Sequence, residues 1–428
     1  MNKQILKEVI LDQRKLGVPE EVVPREGFAN LIRFKNSKQV LILSGIRRCG
    51  KSVLLWLCRK DSPERDYYIN FDDDRLVNFK VEDFQMLYEL FVEMYGPQNA
   101  FYFDEIQNIE HWERFVRRLH EQGKKVYITG SNASMLSAEP GTHLTGRNIE
   151  INLYPYSFGE YLSMKGKVDI KIDSLNTIEK GVLKSIFNQF LEEGGLPEYI
   201  NSKLPEYLHH LYQNILYRDI IVRHKIKNHQ ALKELVYYLA TNIAKECSFN
   251  SLKKMLGLAS ATTVSDYCGY LEDSFLCFFI SRYDYSLKKQ IQNPKKVYFI
   301  DQALAVAVGF RFSSDAGRLL ENIVFLELKR RGYLIYYHQG KKECDFVLKE
   351  GAKITSAIQV CVSLDDEKTR DREISGLVDA MQEYQLNSGV IVTGDTLSEE
   401  TVSKDNKTYK IRMVPIWSWL LDKVENAD

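Results

Sequence analysis

The chain carries no excess charge of either sign: Lys+Arg and Asp+Glu stand at 58 each over 428 residues. Its overall field therefore does not steer it toward nucleic acid or an acidic membrane, and any such contact must come from a local patch. No apolar run approaches about 18 residues, which argues against a membrane-spanning helix. The seven cysteines, at 49, 58, 247, 268, 277, 344 and 361, form no C-x-x-C pair and no His/Cys spacing suited to zinc. Several lie inside apolar segments, which points to core thiols in a reducing cytoplasm rather than a disulfide scaffold or metal centre. There is neither an internal repeat nor a low-complexity segment, and the guanine-specific Asn-Lys-x-Asp pattern is missing. The opening Met-Asn-Lys-Gln-Ile-Leu-Lys-Glu reads as the start of an amphipathic helix rather than a signal peptide. With 44% hydrophobic and 27% charged residues, the composition is that of an ordinary globular protein, and its length suits two or three domains.

Against these absences stands Gly45-Ile-Arg-Arg-Cys-Gly-Lys51-Ser52. An apolar, β-branched-rich segment, Gln39–Leu43, precedes it, and the apolar start of a helix, Val53–Cys58, follows. Strand, glycine loop and helix in that order make a cradle for a nucleoside triphosphate. Gly45 and Gly50 let the backbone curl so that the N–H groups of Arg47, Arg48, Cys49, Gly50 and Val53 can face phosphate oxygens. The helix start adds its positive dipole end. Lys51 would reach the β- and γ-phosphates of ATP, and Ser52 would hold Mg²⁺ through its hydroxyl. A second strand, Ala100-Phe-Tyr-Phe-Asp104-Glu105, ends in adjacent carboxylates. Asp104 suits the Mg²⁺ shell, and Glu105 suits the general base that polarises the attacking water. The same acidic pair could also serve as an N-cap for a helix over Ile109–His120. At the tip of the strand Val126–Thr129, Ser131 and Asn132 are equal candidates for sensing the γ-phosphate and holding the water, or else form a simple turn. Arg147, just before the strand Ile149–Leu153, occupies the arginine-finger position of AAA+ ATPases or is a surface arginine. As a finger it would act on a neighbour's nucleotide, which implies a homo-oligomer.

The wider pattern predicts an α/β fold class. A helix and a Pro-containing lead-in (Val22-Val-Pro-Arg25) open the chain. The strands Val40–Leu43, Tyr67–Phe71, Phe101–Phe103, Val126–Thr129 and Ile149–Leu153 then alternate with helices, the signature of a parallel sheet covered on both faces. The reading divides the chain into a P-loop core with its lead-in over 1–156, a helical lid or connector over 157–230, a winged helix over 231–305 and an α/β domain over 311–428. The winged helix rests on a glycine-containing turn after Lys253-Lys-Met-Leu-Gly257, a helix Thr263–Asp273, and a hairpin of Phe275–Ile280 with Val297–Ile300. The last domain should hold helices at Gly317–Arg331, Lys368–Tyr384 and Trp417–Leu421. Its strands are expected at Leu334–Tyr337, Cys344–Leu348, Ile354–Val362, Gly389–Thr393 and Lys410–Val414.

The chain resembles the prokaryotic AAA+-like ATPases whose C-terminal domain of unknown function has a restriction-endonuclease-like core. The matching residues span nearly the whole length. They are Gly45–Ser52, Tyr67-Tyr-Ile-Asn-Phe-Asp72, Phe103-Asp-Glu-Ile-Gln107, Thr129-Gly-Ser131, Thr145-Gly-Arg147, Pro155-Tyr-Ser-Phe158, Gly194-Gly-Leu-Pro-Glu198, Tyr217-Arg-Asp219, Glu343-Cys-Asp-Phe346 and Ile358-Gln-Val-Cys361. The resemblance implies a nucleotide-binding core and names no substrate.

A nuclease of the PD-(D/E)xK class needs a helical Glu, a strand Asp and a Glu-x-Lys on the next strand, so that carboxylates hold Mg²⁺ and a lysine activates water. Here Glu321 and Asp345 take the first two places, but the third reads Gln359-Val-Cys361. A carboxamide oxygen can ligate Mg²⁺, whereas a thiol cannot replace an ammonium. Lys368 or Lys342 would have to substitute from a neighbouring element. The expectation is a degenerate core used for docking or signalling, without nuclease activity. The presumed recognition helix carries no Lys or Arg, but residues 281–300 hold Arg282, Lys288, Lys289, Lys295 and Lys296 against Asp284. Such a wing suits sequence-tolerant contact with DNA phosphates, or is a solvated loop. Two functions follow: an ATP-hydrolysing machine that moves its C-terminal domains on DNA, or a slow ATP-controlled switch or scaffold that recruits a protein partner.

Overall fold

The computed structural model describes residues 1–15, 22–60, 62–132, 146–167, 170, 172–310 and 316–422. They gather into two compact units, one of Met1–Tyr154 with Asp273–Phe275, the other of Pro155–Glu272 with Leu276–Asp428.

The first unit is built on five parallel strands: β1 (Val40–Ser44), β2 (Tyr68–Asn70), β3 (Ala100–Asp104), β4 (Lys125–Gly130) and β5 (Asn148–Asn152). Their order is β2-β3-β4-β1-β5. Every residue of β1 and β3 is buried, because helices cover both faces, and so these strands read as unbroken apolar runs. One face packs an aromatic cluster in which Phe84 stacks on Phe115 at 4.5 Å and Tyr67 on Phe91 at 4.9 Å. On the other face, Tyr102 of β3 stacks on Tyr127 of β4 at 4.9 Å. The open edge of β2 is covered by the helix Lys3–Lys15. There the Gln13 amide accepts from Asn70 N at 2.8 Å and donates to Asn70 O at 3.0 Å, doing for that edge what a further strand would.

The second unit begins with the helices Phe158–Met164, Thr177–Glu193, Pro197–Ser202 and Pro205–Asn214; the last runs on into π-helical turns over Ile215–Val222. The helix His229–Thr241 follows. A short strand β6 (Glu246–Cys247), the helices Phe249–Met255 and Ala261–Asp273, and the antiparallel pair β7 (Cys277–Ser281) and β8 (Lys295–Phe299) make a three-stranded sheet in the order β6-β8-β7. The connection between β7 and β8, expected as a loop, carries a helix at Leu287–Gln292. Beyond the helices Gln302–Val308 and Ala316–Arg330 lies a six-stranded mixed sheet in the order β13-β14-β12-β11-β10-β9. Its strands are β9 (Leu334–Gln339), β10 (Glu343–Glu350), β11 (Lys353–Cys361), β12 (Ser388–Thr393), β13 (Ser398–Lys404) and β14 (Lys407–Pro415). The helix Glu367–Glu383 packs on β10, β11 and β12. Among the described residues, no helix is long and apolar enough to cross a membrane, and all seven cysteines are unpaired and buried.

Candidate nucleotide-binding site

In an open parallel sheet, ligands bind beyond the carboxyl ends of the strands. That edge of the first sheet is where β1, β3 and β4 deliver the glycine loop, the acidic pair and the Ser131 segment. After β1 the chain curls through Gly45–Gly50 into the helix Lys51–Lys60. A Cβ on Gly45 would lie 2.2 Å from the Leu153 carbonyl oxygen. Gly50 has φ 100°, and a Cβ there would stand 3.2 Å from Arg25 Nη1. Both glycines are therefore required by shape. Arg48 forms the exposed tip in a left-handed conformation, with φ 67°. Cys49 is buried, and burial raises its thiol pKa, so it packs the loop rather than reacting. Arg47 and Val53 are half-buried on either side of it. Arg25, which falls within the Pro-containing lead-in of the sequence, holds the loop from behind: it donates to Cys49 O at 2.7 Å and to Tyr154 O at 2.5 Å. The Lys51 ammonium is only 3% exposed. It donates to Gly45 O at 3.0 Å and Ile46 O at 3.1 Å and stands 3.6 Å from Glu105 Oε1.

Asp104, at the end of β3, is fully buried and gathers four donors. Ser52 Oγ reaches Oδ1 at 3.1 Å, and Thr129 Oγ1 reaches the same oxygen. Tyr68 OH and Asn70 Nδ2 each stand 3.3 Å from Oδ2. Burial, with the neighbouring Glu105 charge, raises the Asp104 pKa against the opposing effect of Thr129, Ser52 and Lys51. Such a site favours an added cation. Ser52 and Asp104 are thus already together, as a shared Mg²⁺ requires. Glu105 behaves differently. Burial acts to raise it, but Lys51, the Gln107 amide and Arg47 outweigh that and hold the carboxyl below its ordinary range, so it is ionised. Its backbone is left-handed, with φ 51°, and its N–H donates to Thr129 Oγ1 at 2.9 Å. The acidic pair does not cap the following helix, which begins at Trp112 with His111 ahead of it.

Of the two sensor candidates, Ser131 is buried and accepts a hydrogen bond from Gln107 Nε2 at 3.2 Å; Asn132 is also buried. The β4 side chain that touches both acidic residues is Thr129, which the sequence reading passed over as part of the strand. Arg147 lies at the opposite edge of the sheet. Its carbonyl accepts from Val40 N, at the start of β1, at 2.8 Å, and its guanidinium is 3.9 Å from Glu121 Oε1. Leu144 and Thr145 of the same motif lie outside the described residues.

In the second unit, Glu321 and Asp345 do come together, but the cation between them is neither Lys342 nor Lys368. It is Lys296 of β8. Its Nζ lies 2.7 Å from Glu343 Oε1, 3.0 Å from Asp345 Oδ1 and 3.1 Å from Glu321 Oε1, and the residue is 1% exposed. Burial opposes its charge, yet Glu321 and Asp345 prevail and raise its pKa well above the usual value. Gln359, at the third position of the degenerate site, is engaged at both ends of its amide. Oε1 accepts from Asp345 N at 3.1 Å, and Nε2 donates to Glu373 Oε2 at 2.5 Å. Among the described residues, no group of three or more His, Cys, Asp or Glu is placed to hold a metal ion. The basic wing is corrected by the same geometry. Lys296 is interior, and Lys295 donates to Ser281 Oγ at 2.8 Å. The basic residues left on the outer part of the hairpin are Arg282, Lys288 and Lys289, with Lys289 Nζ 3.8 Å from Asp284.

Comparison with known proteins agrees with the first unit. Residues 37–162 match a family model described as an AAA domain, and residues 184–315 match a domain of unknown function, DUF8612. "Uncharacterized protein MJ1544" of Methanocaldococcus jannaschii is 34% identical over 442 residues, covering 98% of this chain and 96% of that protein. An uncharacterized protein of Haemophilus influenzae is 30% identical over 420 residues, covering 94% and 99%. Among solved structures, AMPPCP-bound DnaA from Aquifex aeolicus covers 59% of this chain and 90% of its own at 16% identity and a TM-score of 0.26. That of C. elegans PCH-2 covers 49% and 61% at 15% identity and the same score, and both superpositions are too loose to argue from. The chain therefore contains an AAA-type P-loop domain and belongs to the family of these full-length archaeal and bacterial relatives.

Proposed function

We propose that the protein binds ATP in the Gly45–Ser52 cradle and hydrolyses it, using the cycle to change the conformation of a C-terminal winged helix and a nuclease-like domain. The observation that carries this reading is the convergence of Ser52 on Asp104 at 3.1 Å beside a Glu105 held by Lys51. When present, Mg²⁺ would be held by Ser52 and Asp104 and would neutralise charge on the phosphates. Lys51 binds the phosphate tail, the loop amides orient it, and Glu105 takes the proton of the attacking water. Arg147 serves a neighbouring copy.

A specific observation favours a second reading for the C-terminal part. With Lys296 filling the carboxylate cluster and Gln359 engaged, the nuclease-like centre supports docking of a protein partner rather than cleavage of DNA, and ATP would then act as a slow switch. Steady-state turnover with and without DNA or RNA separates the two. Stimulated rates above about 1 s⁻¹ fit the machine, and rates near about 10⁻³ s⁻¹ fit the switch.

Calorimetry with Mg·ATP tests the site itself. Lys51→Ala should lose binding heat, whereas Glu105→Gln should bind normally and turn over about 10²–10⁴-fold more slowly. Wild-type turnover in Glu105→Gln would remove that residue from the chemistry.

A further inference from the structure

Glu105 has two kinds of partner, and only one of them can stay through a catalytic cycle. Lys51 stands 3.6 Å from Oε1 but also donates to the carbonyl oxygens of Gly45 and Ile46, so its ammonium is parked among weak acceptors in the loop. A polyphosphate entering the cradle would draw it away. The other partner is Gln107, two residues on, in the turn Ile106–Asn108 that follows the acidic pair. Its Nε2 donates to Glu105 Oε2 at 2.5 Å and to Ser131 Oγ at 3.2 Å. One amide therefore joins the carboxylate after β3 to the hydroxyl beyond the tip of β4. The assignment of the amide is fixed by chemistry, because its oxygen turned toward a carboxylate would repel it. That oxygen, Oε1, is buried without a hydrogen-bond partner among the described residues. Leaving it so is costly, and such groups in native proteins call for an explanation. Here the donor end of the amide is held by two acceptors, and the oxygen is left where that grip puts it.

We infer that Gln107 is the positioning residue of the hydrolytic step: its amide clamps the Glu105 carboxylate to Ser131, so that the base keeps its aim when Lys51 leaves for the phosphates. The inference rests on the ATPase reading. The backbone of Glu105 is already fixed through Thr129, and Gln107 fixes the side chain. Binding of nucleotide needs neither contact, so the effect of losing Gln107 should fall on turnover alone.

The test is single-turnover hydrolysis and equilibrium Mg·ATP binding by the full-length wild type, Gln107→Leu, Ser131→Ala, Glu105→Gln and the double variant Glu105→Gln/Gln107→Leu. Misplacing a reacting group by about 1 Å can cost about 10²-fold. Gln107→Leu should therefore slow hydrolysis by about 10–100-fold at unchanged ATP affinity. Ser131→Ala, which releases the other end of the amide, should slow it less. In the Glu105→Gln background Gln107→Leu should have no further effect, because a residue acting through the base has nothing left to aim. Wild-type turnover in Gln107→Leu overturns the inference alone, as does a loss that multiplies with that of Glu105→Gln. Unimpaired turnover in Glu105→Gln removes that residue from the chemistry and overturns this inference while the ATPase reading stands; no turnover in the wild type overturns the ATPase reading and this inference with it.

Discussion

A single ammonium, that of Lys296, stands among three carboxylates in the second unit, and the arrangement shows what side-chain chemistry alone reveals and what it conceals. Removing one partner of a buried ion pair leaves uncompensated charge and typically costs about 3–5 kcal/mol. Lys296→Met should accordingly lower the stability of the protein by about that amount, read from the urea midpoint. Adding Glu321→Gln to that variant should recover part of the loss, since one stranded carboxylate is then gone. An unchanged midpoint in Lys296→Met would mean that the cluster is held by other means. In the sequence, Lys296 looks like one more basic residue of a charged hairpin. Its partners Glu321, Glu343 and Asp345 lie 25, 47 and 49 residues on, and only the folded chain brings them to it. The same holds for Arg25, whose second acceptor is 129 residues away, and for Thr129, which reads as an ordinary strand residue. Lys51, Ser52, Asp104 and Glu105 were legible because the loop and the strand end carry their own meaning over a few consecutive residues. The Gln107 contact was out of view because an amide has no distinctive spacing.

Elements were legible where burial dictates composition. All five strands of the first sheet were readable within a residue or two: β1 and β3 are buried throughout and so apolar throughout, whereas the edge strand β5, in which only Ile151 is buried, shows the alternation of a half-buried strand. The strand β13, Ser398–Lys404, escaped notice because none of its residues is buried and it pairs only with β14, so no apolar alternation marks it. The helix Leu287–Gln292 was hidden for a related reason: its apolar residues Leu287 and Ile291 are 70% and 64% exposed, so no buried face betrays it. Gly194 and Gly195 gain a physical reason from Asp301. This residue caps the helix Gln302–Val308 by accepting from Leu304 N at 2.9 Å, and it also accepts from Gly195 N at 2.7 Å. A Cβ on Gly194 would lie 2.5 Å from its carboxylate oxygens. Burial pushes the Asp301 pKa up to about 6 in spite of the backbone donors from Gly195, Leu304 and Ala303. The folded state thus binds this proton more tightly than the unfolded chain does. Its contribution to stability is complete below about pH 4 and is lost as pH rises through about 6. A rise from 3.8 to about 6 corresponds to about 3 kcal/mol. The stability difference between wild type and Asp301→Asn, measured by urea unfolding, should shrink by about that amount between pH 4 and 7. A difference that stays level over this range would show that Asp301 titrates as an ordinary carboxylate.

At the scale of the whole molecule, zero formal net charge leaves partner choice to local surfaces, and one of these is the end of the first sheet that carries Arg147. Its carbonyl is bonded to Val40 N at the start of β1, whereas the glycine loop begins after Ser44 at the other end of that strand. Five residues at roughly 3.3 Å each put about 16 Å between them. An arginine side chain rooted there cannot reach the phosphates bound by its own loop. If it acts on nucleotide, it does so on that of a second copy, through a head-to-tail contact in which each protomer offers a loop to one neighbour and an arginine to the other. Two single variants then fail for different reasons. Arg147→Ala keeps an intact loop and lacks the arginine, and Lys51→Ala keeps the arginine and lacks the lysine proposed to grip the phosphates. Mixed at equal amounts, they should regain activity at roughly a quarter of their contacts, those in which the sound loop of one meets the sound arginine of the other. The regained rate should fall on dilution, and the wild-type rate should climb with protein concentration, since both depend on assembly. Folded variants that show no recovery at any ratio, while the wild-type rate stays proportional to protein concentration, would leave Arg147 a surface residue paired with Glu121.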